Sequence, residues 1–141
     1  MYKSNDDITT IGTGLVDRTL PKEAWTHAAH FAAAFWLLKH PDIDPFLEMP
    51  DFIRAYNIAT GGVNNDEEGY HETITQASLK AAKHFLGRAP ASEPLYETVN
   101  RFLGSEYGSS NWILNHWSKS MLFSVKARKS WIEPDQKPLP F

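Results

Sequence analysis

The sequence contains no cysteine among its 141 residues. This absence excludes disulfide bonds, a thiolate nucleophile, iron–sulfur clusters and every zinc site built on thiolate ligands. Any bound metal ion would therefore be held by histidine, carboxylate or water. The GxSxG elbow, the phosphate-binding loop and the HExxH motif are also missing, so the familiar enzyme classes that use them lack support. A pair of ExxH motifs is missing as well, which argues against oxygen chemistry at a two-metal centre.

The chain also lacks an apolar run long enough to span a bilayer, which takes about 20 residues. The best candidate, Phe31 to Leu38, is followed at once by Lys39 and His40. The first ten residues have neither the basic start nor the apolar stretch of a secretory signal. We therefore expect a chain that does not span a membrane and that works in the cytoplasm.

The sequence has fewer basic than acidic residues. Fourteen Lys and Arg residues stand against seventeen Asp and Glu, which gives a net charge of −3. No basic stripe is visible that could follow a phosphate backbone, so nucleic acid is not an expected partner. The partners that stay open are a small molecule and a second copy of the chain in a homo-oligomer.

What the sequence does have is apolar and aromatic residues at helical spacing. The hydrophobic fraction is 42%, with five Trp, eight Phe and five Tyr, enough for one core in a chain of this length. Helix starts and stops at Ser, Thr, Pro and Gly predict an all-α, single-domain helical bundle of about five helices. The predicted helices run from Thr19 to His40, from Pro45 or Pro50 to Thr60, from Tyr70 to Leu86, from Pro94 to Leu103, and from Trp112 to Met121.

Both ends of the chain are predicted to differ from the bundle. Residues 1–18 are polar and contain glycine, so we expect a loosely ordered lead-in to a helical domain over residues 19–141. After Ser124 the sequence predicts one or two further helical turns. The prolines that follow, beginning with Pro134, predict an extended, Pro-rich C-terminal tail.

His27 and His30 stand three residues apart on the most apolar predicted helix. Two side chains at this spacing share one helix face, with Cβ atoms about 5–6 Å apart. Such a pair can hold a divalent ion, such as zinc, nickel, manganese or iron, with further ligands from a neighbouring helix. The competing interpretation is that each ring hydrogen-bonds a carbonyl or a carboxylate, because a single HxxH pair is common by chance.

Polar side chains crowd the predicted start of the third helix. His71 and Thr75 lie one turn apart on the same face, whereas Glu72 points about 100° away. We predict His71 as a third metal ligand or a general base, and Glu72 as the catalytic candidate. Capping is the alternative for Glu72 and Thr73, because Thr73 to Gln76 matches a capping box and acidic residues favour a helix N-terminus.

Three further residues are candidates for binding a ligand. His116 lies between Trp112 and Trp117 and is predicted to contribute to the site, although burial among aromatic rings is the more common role of such a residue. Arg54 and Asn57 are about one turn apart on one helix face, where they could hold a carboxylate or phosphate group. Their ordinary alternative is solvation, or pairing with a nearby carboxylate.

Five short motifs stand in order along the chain. They are WTHAAHF at Trp25–Phe31, IRAYN at Ile53–Asn57, GYHETIT at Gly69–Thr75, and LFSVKAR and WIEPD near the C-terminus. In this order they resemble those of a bacterial protein family without an assigned function, over nearly the whole chain from about residue 20. The resemblance implies that the three histidine segments belong to one recurring design, and it implies no reaction.

Three functional interpretations follow from these residues. In the first, His27, His30 and His71 bind one divalent metal ion in a small hydrolase-like enzyme with an open coordination position. In the second, the protein is a non-enzymatic ligand-binding or protein-interaction module, with a structural histidine network and an interface of exposed tryptophans. In the third, a metal-free pocket uses Arg54 to bind an anionic group and a histidine as acid or base.

Overall fold

Seven α-helices and no β-strand form the protein, in a computed structural model that describes all residues, 1–141. The helices are α1 (Asn5–Asp17), α2 (His27–Lys39), α3 (Pro45–Ala59), α4 (Glu72–Gly87), α5 (Leu95–Leu103), α6 (Lys119–Leu122) and α7 (Val125–Lys129). Short 3₁₀ turns lie at Lys22–Ala24, Glu106–Gly108 and Trp112–Asn115. The predicted all-α helical bundle is confirmed. None of the helices combines the length and apolar character that crossing a membrane requires.

The central helix of the bundle is α2, which contacts α1, α3, α4 and α5. It begins at His27 rather than near Thr19, because the side chain of Thr26 caps it by accepting the N–H of Ala29 at 3.2 Å. It ends at Lys39, one residue before the predicted end at His40, which is the C-cap. The buried residues of α2 are Ala29, Phe31, Ala32, Ala33, Ala34, Phe35 and Leu37.

The prediction of a loosely ordered lead-in over residues 1–18 is wrong, because most of this segment forms α1 and packs into the core. Ile8 and Leu15 are fully buried. Gly12 lets α1 approach α2 so closely that a Cβ at this position would lie 2.3 Å from the ring of Trp36. Threonine and glycine give the segment a low intrinsic helix propensity, and packing against α2 overrides that propensity.

Two asparagine side chains tie the start of the chain to α5. Asn100 accepts the backbone N–H of Tyr2 at 3.0 Å and donates to the Tyr2 carbonyl at 2.8 Å. Asn5 accepts the N–H of Tyr96, in the first turn of α5, at 3.0 Å. The N-terminal helix is therefore fixed by residues that follow it by more than ninety positions.

The predicted second, third and fourth helices are confirmed as α3, α4 and α5, with α3 beginning at Pro45. Inside α3, Pro50 has no N–H to donate to the carbonyl of Phe46. Gln76 of α4 supplies the missing donor, since its Nε2 lies 3.0 Å from that carbonyl oxygen. The capping box considered as an alternative for Thr73 to Gln76 does not form, because His71 is the N-cap and Gln76 joins α3 to α4.

The predicted fifth helix, Trp112 to Met121, is wrong as a single helix. It divides into the 3₁₀ turn at Trp112–Asn115 and the one-turn helix α6. Trp117 lies between the two pieces, fully buried, and its indole N–H donates to the carbonyl of Ile132 at 2.9 Å. Contacts with the C-terminal tail thus take precedence over a continuous helix, and no local pattern in the sequence predicts these contacts.

The tail, residues 131–141, contains no helix or strand and is held against the bundle by polar contacts. The backbone N–H and hydroxyl of Ser118 donate to the carboxylate of Asp135 at 2.8 and 2.6 Å. The buried hydroxyl of Thr73, in the first turn of α4, lies 2.7 Å from the carbonyl of Ala127. The Ser118 bonds fix the tail to the start of α6, and the Thr73 bond fixes α7 to the start of α4.

Candidate functional site

A cavity of about 340 Å³, which we call the first cavity, lies between α2, α3 and α4. This volume is within the range of small-molecule sites. The wall is mostly apolar and includes a few polar side chains. It is formed by Trp25, His30, Ala34, Met49, Ile53, Asn57, Gly69, Tyr70, His71, Ile74, Thr75, Ser78 and Leu79.

The wall includes polar side chains that make no hydrogen bond within the protein, namely those of Trp25, His30 and Ser78, and of these His30 is the most exposed. Its neighbours on α2, Ala29 and Phe31, are each 1% exposed, yet more than a third of the His30 surface is accessible. The ring stacks on Trp25, with centroids 3.9 Å apart. Every other histidine ring of the chain makes a hydrogen bond within the protein, and that of His30 makes none. Its nitrogen atoms are therefore available to a molecule in the cavity.

The surroundings of His30 keep its ring neutral. Part of the His30 surface opens into the cavities, but the ring is closely surrounded by protein atoms. This desolvation, and to a smaller extent the charge of nearby His27, lowers the pKa of His30 to about 4. At neutral pH the ring then carries one N–H donor and one lone-pair acceptor. Both hydrogen-bonding functions of this imidazole are unused.

His71 lines the same cavity and has a different role. It is the N-cap of α4, where its Nδ1 accepts the backbone N–H of Ile74 at 3.1 Å. Its Nε2–H donates to the carbonyl of Leu122 at 2.7 Å. Burial lowers the pKa of His71. Because both nitrogens are occupied, the ring can neither bind a metal ion nor accept a proton without releasing the cap.

His27 lies at the start of α2 and faces a second cavity, of about 400 Å³. Its Nε2–H donates to the carbonyl of Tyr107 at 3.1 Å. This second cavity is bounded on its other side by the 3₁₀ turn Trp112–Asn115 and by α6. The two cavities meet along a shared wall, which consists of Trp25, His30, Ile74 and Ser78.

The three histidines predicted as metal ligands are divided between these environments. His30 lines both cavities, His27 only the second and His71 only the first. No group of three or more His, Cys, Asp or Glu side chains is arranged to hold a metal ion. The divalent ion expected from the sequence stays a prediction, and hydrogen bonding at His27 and His71 does not favour it.

Glu72, the predicted catalytic residue, does not line the first cavity. Its carboxylate accepts the hydroxyl proton of Tyr70, and burial together with this bond raises the pKa of Tyr70. Arg54 does not line the cavity either. Its guanidinium lies 4.3 Å from the centroid of the Tyr70 ring and pairs with Asp51 at 3.1 Å, so the ordinary alternative of local pairing holds for it.

Asn57 does line the cavity, and it is held by the loop between α3 and α4. Its Nδ2 donates to the side-chain oxygen of Asn64 at 3.0 Å, and the same oxygen accepts the backbone N–H of Tyr70. Gly69, with φ of 90°, allows the close return of this loop, because a Cβ there would lie 2.0 Å from the carbonyl oxygen of Val63. Asn57 and the loop thus form one rigid edge of the cavity.

His116 lies outside both cavities. The residue is buried, and its Nδ1–H donates to the carbonyl of Lys137 in the tail at 2.9 Å. Its backbone carbonyl accepts the N–H of Gln136 at 2.9 Å. These contacts give it the role of a buried anchor for the tail and do not support ligand binding.

The tryptophans do not form an exposed surface. Trp112 and Trp117 are buried, and Trp25, Trp36 and Trp131 are partly buried. A protein-interaction surface built on exposed tryptophan therefore lacks its residues. An interface elsewhere, with a partner or a second copy of the chain, stays a prediction.

Among the wall residues that the sequence did not suggest as candidates, Trp25 and Ser78 are the two that carry an unbonded polar group. Spacing offers a signal for Ser78, because His71, Thr75 and Ser78 follow one another at steps of four and three residues and so share one face of α4. Trp25 precedes the helix and stacks on His30 only through the turn at Thr26, which spacing alone does not reveal.

Comparison with family models, with curated proteins and with solved structures finds no match to this chain. The resemblance drawn from the five sequence motifs accordingly stays a prediction. The role of the first cavity has to be inferred from its own residues.

Proposed function

We propose that the chain is a small-molecule-binding protein whose first cavity holds an uncharged, planar organic ligand. The observation that carries this proposal is His30, whose ring lines the cavity and, unlike those of the other five histidines, makes no hydrogen bond within the protein. Its nitrogens are open to water or to a ligand, because more than a third of the residue is exposed. A ligand with a donor or an acceptor at this point would complete the bonding of His30.

The charge of the wall supports an uncharged ligand. None of the thirteen lining residues is Lys, Arg, Asp or Glu, and the low pKa of His30 keeps that ring neutral at pH 7. Three charged side chains lie just behind the wall: Arg54 pairs with Asp51, Glu72 accepts from Tyr70, and Arg128 donates to the carbonyls of Gly69 and Tyr70. An ion in the cavity would lose its hydration with no charged side chain in the wall to replace it, which costs several kcal/mol.

The shape of the wall supports a planar ligand. Three aromatic side chains, Trp25, His30 and Tyr70, line the cavity, and the first two stack on each other. Aromatic rings stack favourably with other planar groups. Apolar side chains of α3 and α4, among them Ile53 and Leu79, complete the lining.

The hydrolase-like alternative draws less support from the same residues. A general acid or base works best when its pKa lies near the working pH, and the pKa of His30 is about 4. His71 is committed to capping α4. Ligand binding uses His30 as it stands, whereas proton transfer would first require its pKa to rise.

Calorimetric titration with 2-naphthamide and 2-naphthoate tests the proposal, because the two probes differ in charge and hardly in shape. We expect saturable binding of the amide and at least about tenfold weaker binding of the carboxylate, since tenfold corresponds to only about 1.4 kcal/mol. His30→Phe keeps a ring against Trp25 and removes both nitrogens. It should weaken binding of the amide roughly 3- to 10-fold.

His40→Phe is the matched control, because it makes the same change just after the other end of α2 and outside both cavities. Its affinity for 2-naphthamide should equal that of the parent. The proposal fails if the carboxylate binds as tightly as the amide, if the two variants lose affinity equally, or if 2-naphthamide shows no saturable binding.

A further inference from the structure

The outer face of α4 carries a group of basic side chains that the first cavity does not use. Lys80, Lys83, His84 and Arg88 follow at intervals of three, one and four residues, which keeps them on one side of the helix. The two lysines and the arginine are exposed, and His84 is partly buried. Together they extend over about 12 Å of helix.

None of these basic groups is neutralised by an acidic side chain. The ion pairs of the chain are Arg54–Asp51, Arg101–Glu93 and Lys129–Asp66, and all three lie elsewhere. The Nη1 of Arg88 instead lies 3.5 Å from the Nε2 of His84. In a chain with a net charge of −3, this face is a local concentration of unpaired positive charge.

The helix dipole explains only part of this concentration. A cation near a helix C-terminus is stabilised by the partial negative charge there, and the effect is confined to the last turn. That account covers His84, in the last turn of α4, and Arg88, its C-cap. It does not cover Lys80 and Lys83, which lie before the last turn.

The basic side chains line a groove with aromatic walls, which we call the α4 groove. Its volume is about 460 Å³. Phe46 of α3 forms one wall, 5.5 Å from the Nζ of Lys83, and Phe141 of the tail forms the other by stacking on His84 at 5.1 Å. Gly87 leaves open space beside the helix. The lining residues are Phe46, Lys80, Lys83, His84, Gly87, Arg88 and Phe141.

We propose that the α4 groove binds a small molecule that carries a phosphate or diphosphate group. Several cations around one groove favour a ligand with more than one negative charge, and the guanidinium of Arg88 matches the geometry of phosphate oxygens. The short length of the basic stripe favours a small molecule over a nucleic acid. This site is independent of the first cavity, with which it shares no lining residue.

The experiment is a titration of the full chain with inorganic pyrophosphate, followed by backbone amide NMR shifts in 0.15 M NaCl. We expect saturable shifts concentrated at the C-terminal half of α4 and at Phe141. The double variant Lys80→Ala/Lys83→Ala should bind at least about tenfold more weakly. The control Lys3→Ala/Lys22→Ala removes the same charge from two other exposed positions and should stay within about twofold of the parent.

Three results would overturn the proposal. The first is an absence of saturable shifts, and the second is an equal loss of affinity in the two double variants, which would mean that only net charge matters. The third is tighter binding of a short DNA duplex than of pyrophosphate through the same residues, which would make nucleic acid the partner. All four substituted lysines are exposed, so melting curves matching the parent should confirm that both variants fold.

Discussion

His30 and His71 line the same cavity from opposite helices, and their bonding differs completely. His71 caps α4 with one nitrogen and binds the Leu122 carbonyl with the other, whereas the ring of His30 stacks on Trp25 and makes no hydrogen bond in the protein. Burial lowers the pKa of both rings, so burial alone does not distinguish them. The contrast teaches that a histidine in a cavity wall is identified as structural or as ligand-binding by the number of its nitrogens that the fold already uses.

Replacing His71 should cause the largest loss of stability. His71→Ala removes an N-cap and leaves the carbonyl of Leu122 without its donor, so the free energy of unfolding should fall by about 2–4 kcal/mol. Urea denaturation followed by circular dichroism measures the change. His71→Asn is the matched variant, since asparagine can cap a helix but is shorter, and it should recover about 1 kcal/mol. A loss below about 1 kcal/mol in His71→Ala would mean that the two hydrogen bonds of His71 contribute little to stability. His71 could then not be distinguished from His30 as the structural histidine.

Thr73, like His71, is a structural polar residue at the start of α4, and its substitution gives a second test of the contrast with His30. Its fully buried hydroxyl is 2.7 Å from the carbonyl of Ala127 and accepts the N–H of Ile132 at 3.2 Å. Thr73→Val keeps the shape and leaves both partners unsatisfied, so the expected loss is about 1–3 kcal/mol. Thr73→Ser retains the hydroxyl and is the control. If both variants lose the same stability, packing rather than hydrogen bonding holds the tail at this point.

His30 should tolerate substitution better than either residue. Because it has no partner in the protein, His30→Phe should change the free energy of unfolding by less than about 1 kcal/mol at pH 7. The same denaturation series measures it beside His71→Ala. A loss as large as that of His71→Ala would show that His30 is structural and would remove the main support for ligand binding.

The last effect we expect is on the dependence of stability on pH. With a folded-state pKa of about 4 and an unfolded value near 6.5, His30 takes up its proton more readily when the chain is unfolded. Stability is therefore undiminished above about pH 6.5 and is lost as the pH falls towards 4. His30→Phe should reduce this loss without abolishing it, because the pKa of His71 is lowered too. An identical loss between pH 7 and pH 5 in parent and variant would contradict this assignment.

Local sequence signals were sufficient for the middle of the chain and failed at its ends. Proline, glycine and capping residues mark the ends of α3, α4 and α5 closely, because these signals act over one or two turns. They fail for α1, where Gly12 is favourable only because Trp36 packs on it. They also fail around Trp117, whose indole bonds to Ile132 in the tail. Contacts between distant segments decide both cases.

The site was predictable to a similar depth. The helical spacing of His71 and Thr75 places both on the cavity wall, and Glu72 lies off that wall as the 100° step predicts. The spacing could not reveal that Leu122 would occupy one nitrogen of His71 or that no group would occupy those of His30. Both facts depend on how α6 and α2 pack, and helix order alone does not determine packing.

The hydrogen bonds that join Tyr2 to Asn100 and Asn5 to Tyr96 have a consequence for the order of events during protein synthesis. The ribosome makes α1 before α5, so the α5 residues that fix α1 emerge only after α2, α3 and α4 have been translated. Contacts between residues so far apart in sequence also form late in folding, because the entropy cost of closing a long loop comes before the contact is made. Although α1 precedes the other six helices, it should therefore be among the last of them to settle, and a nascent chain that stalls before α5 would leave Ile8 and Leu15 without a complete core.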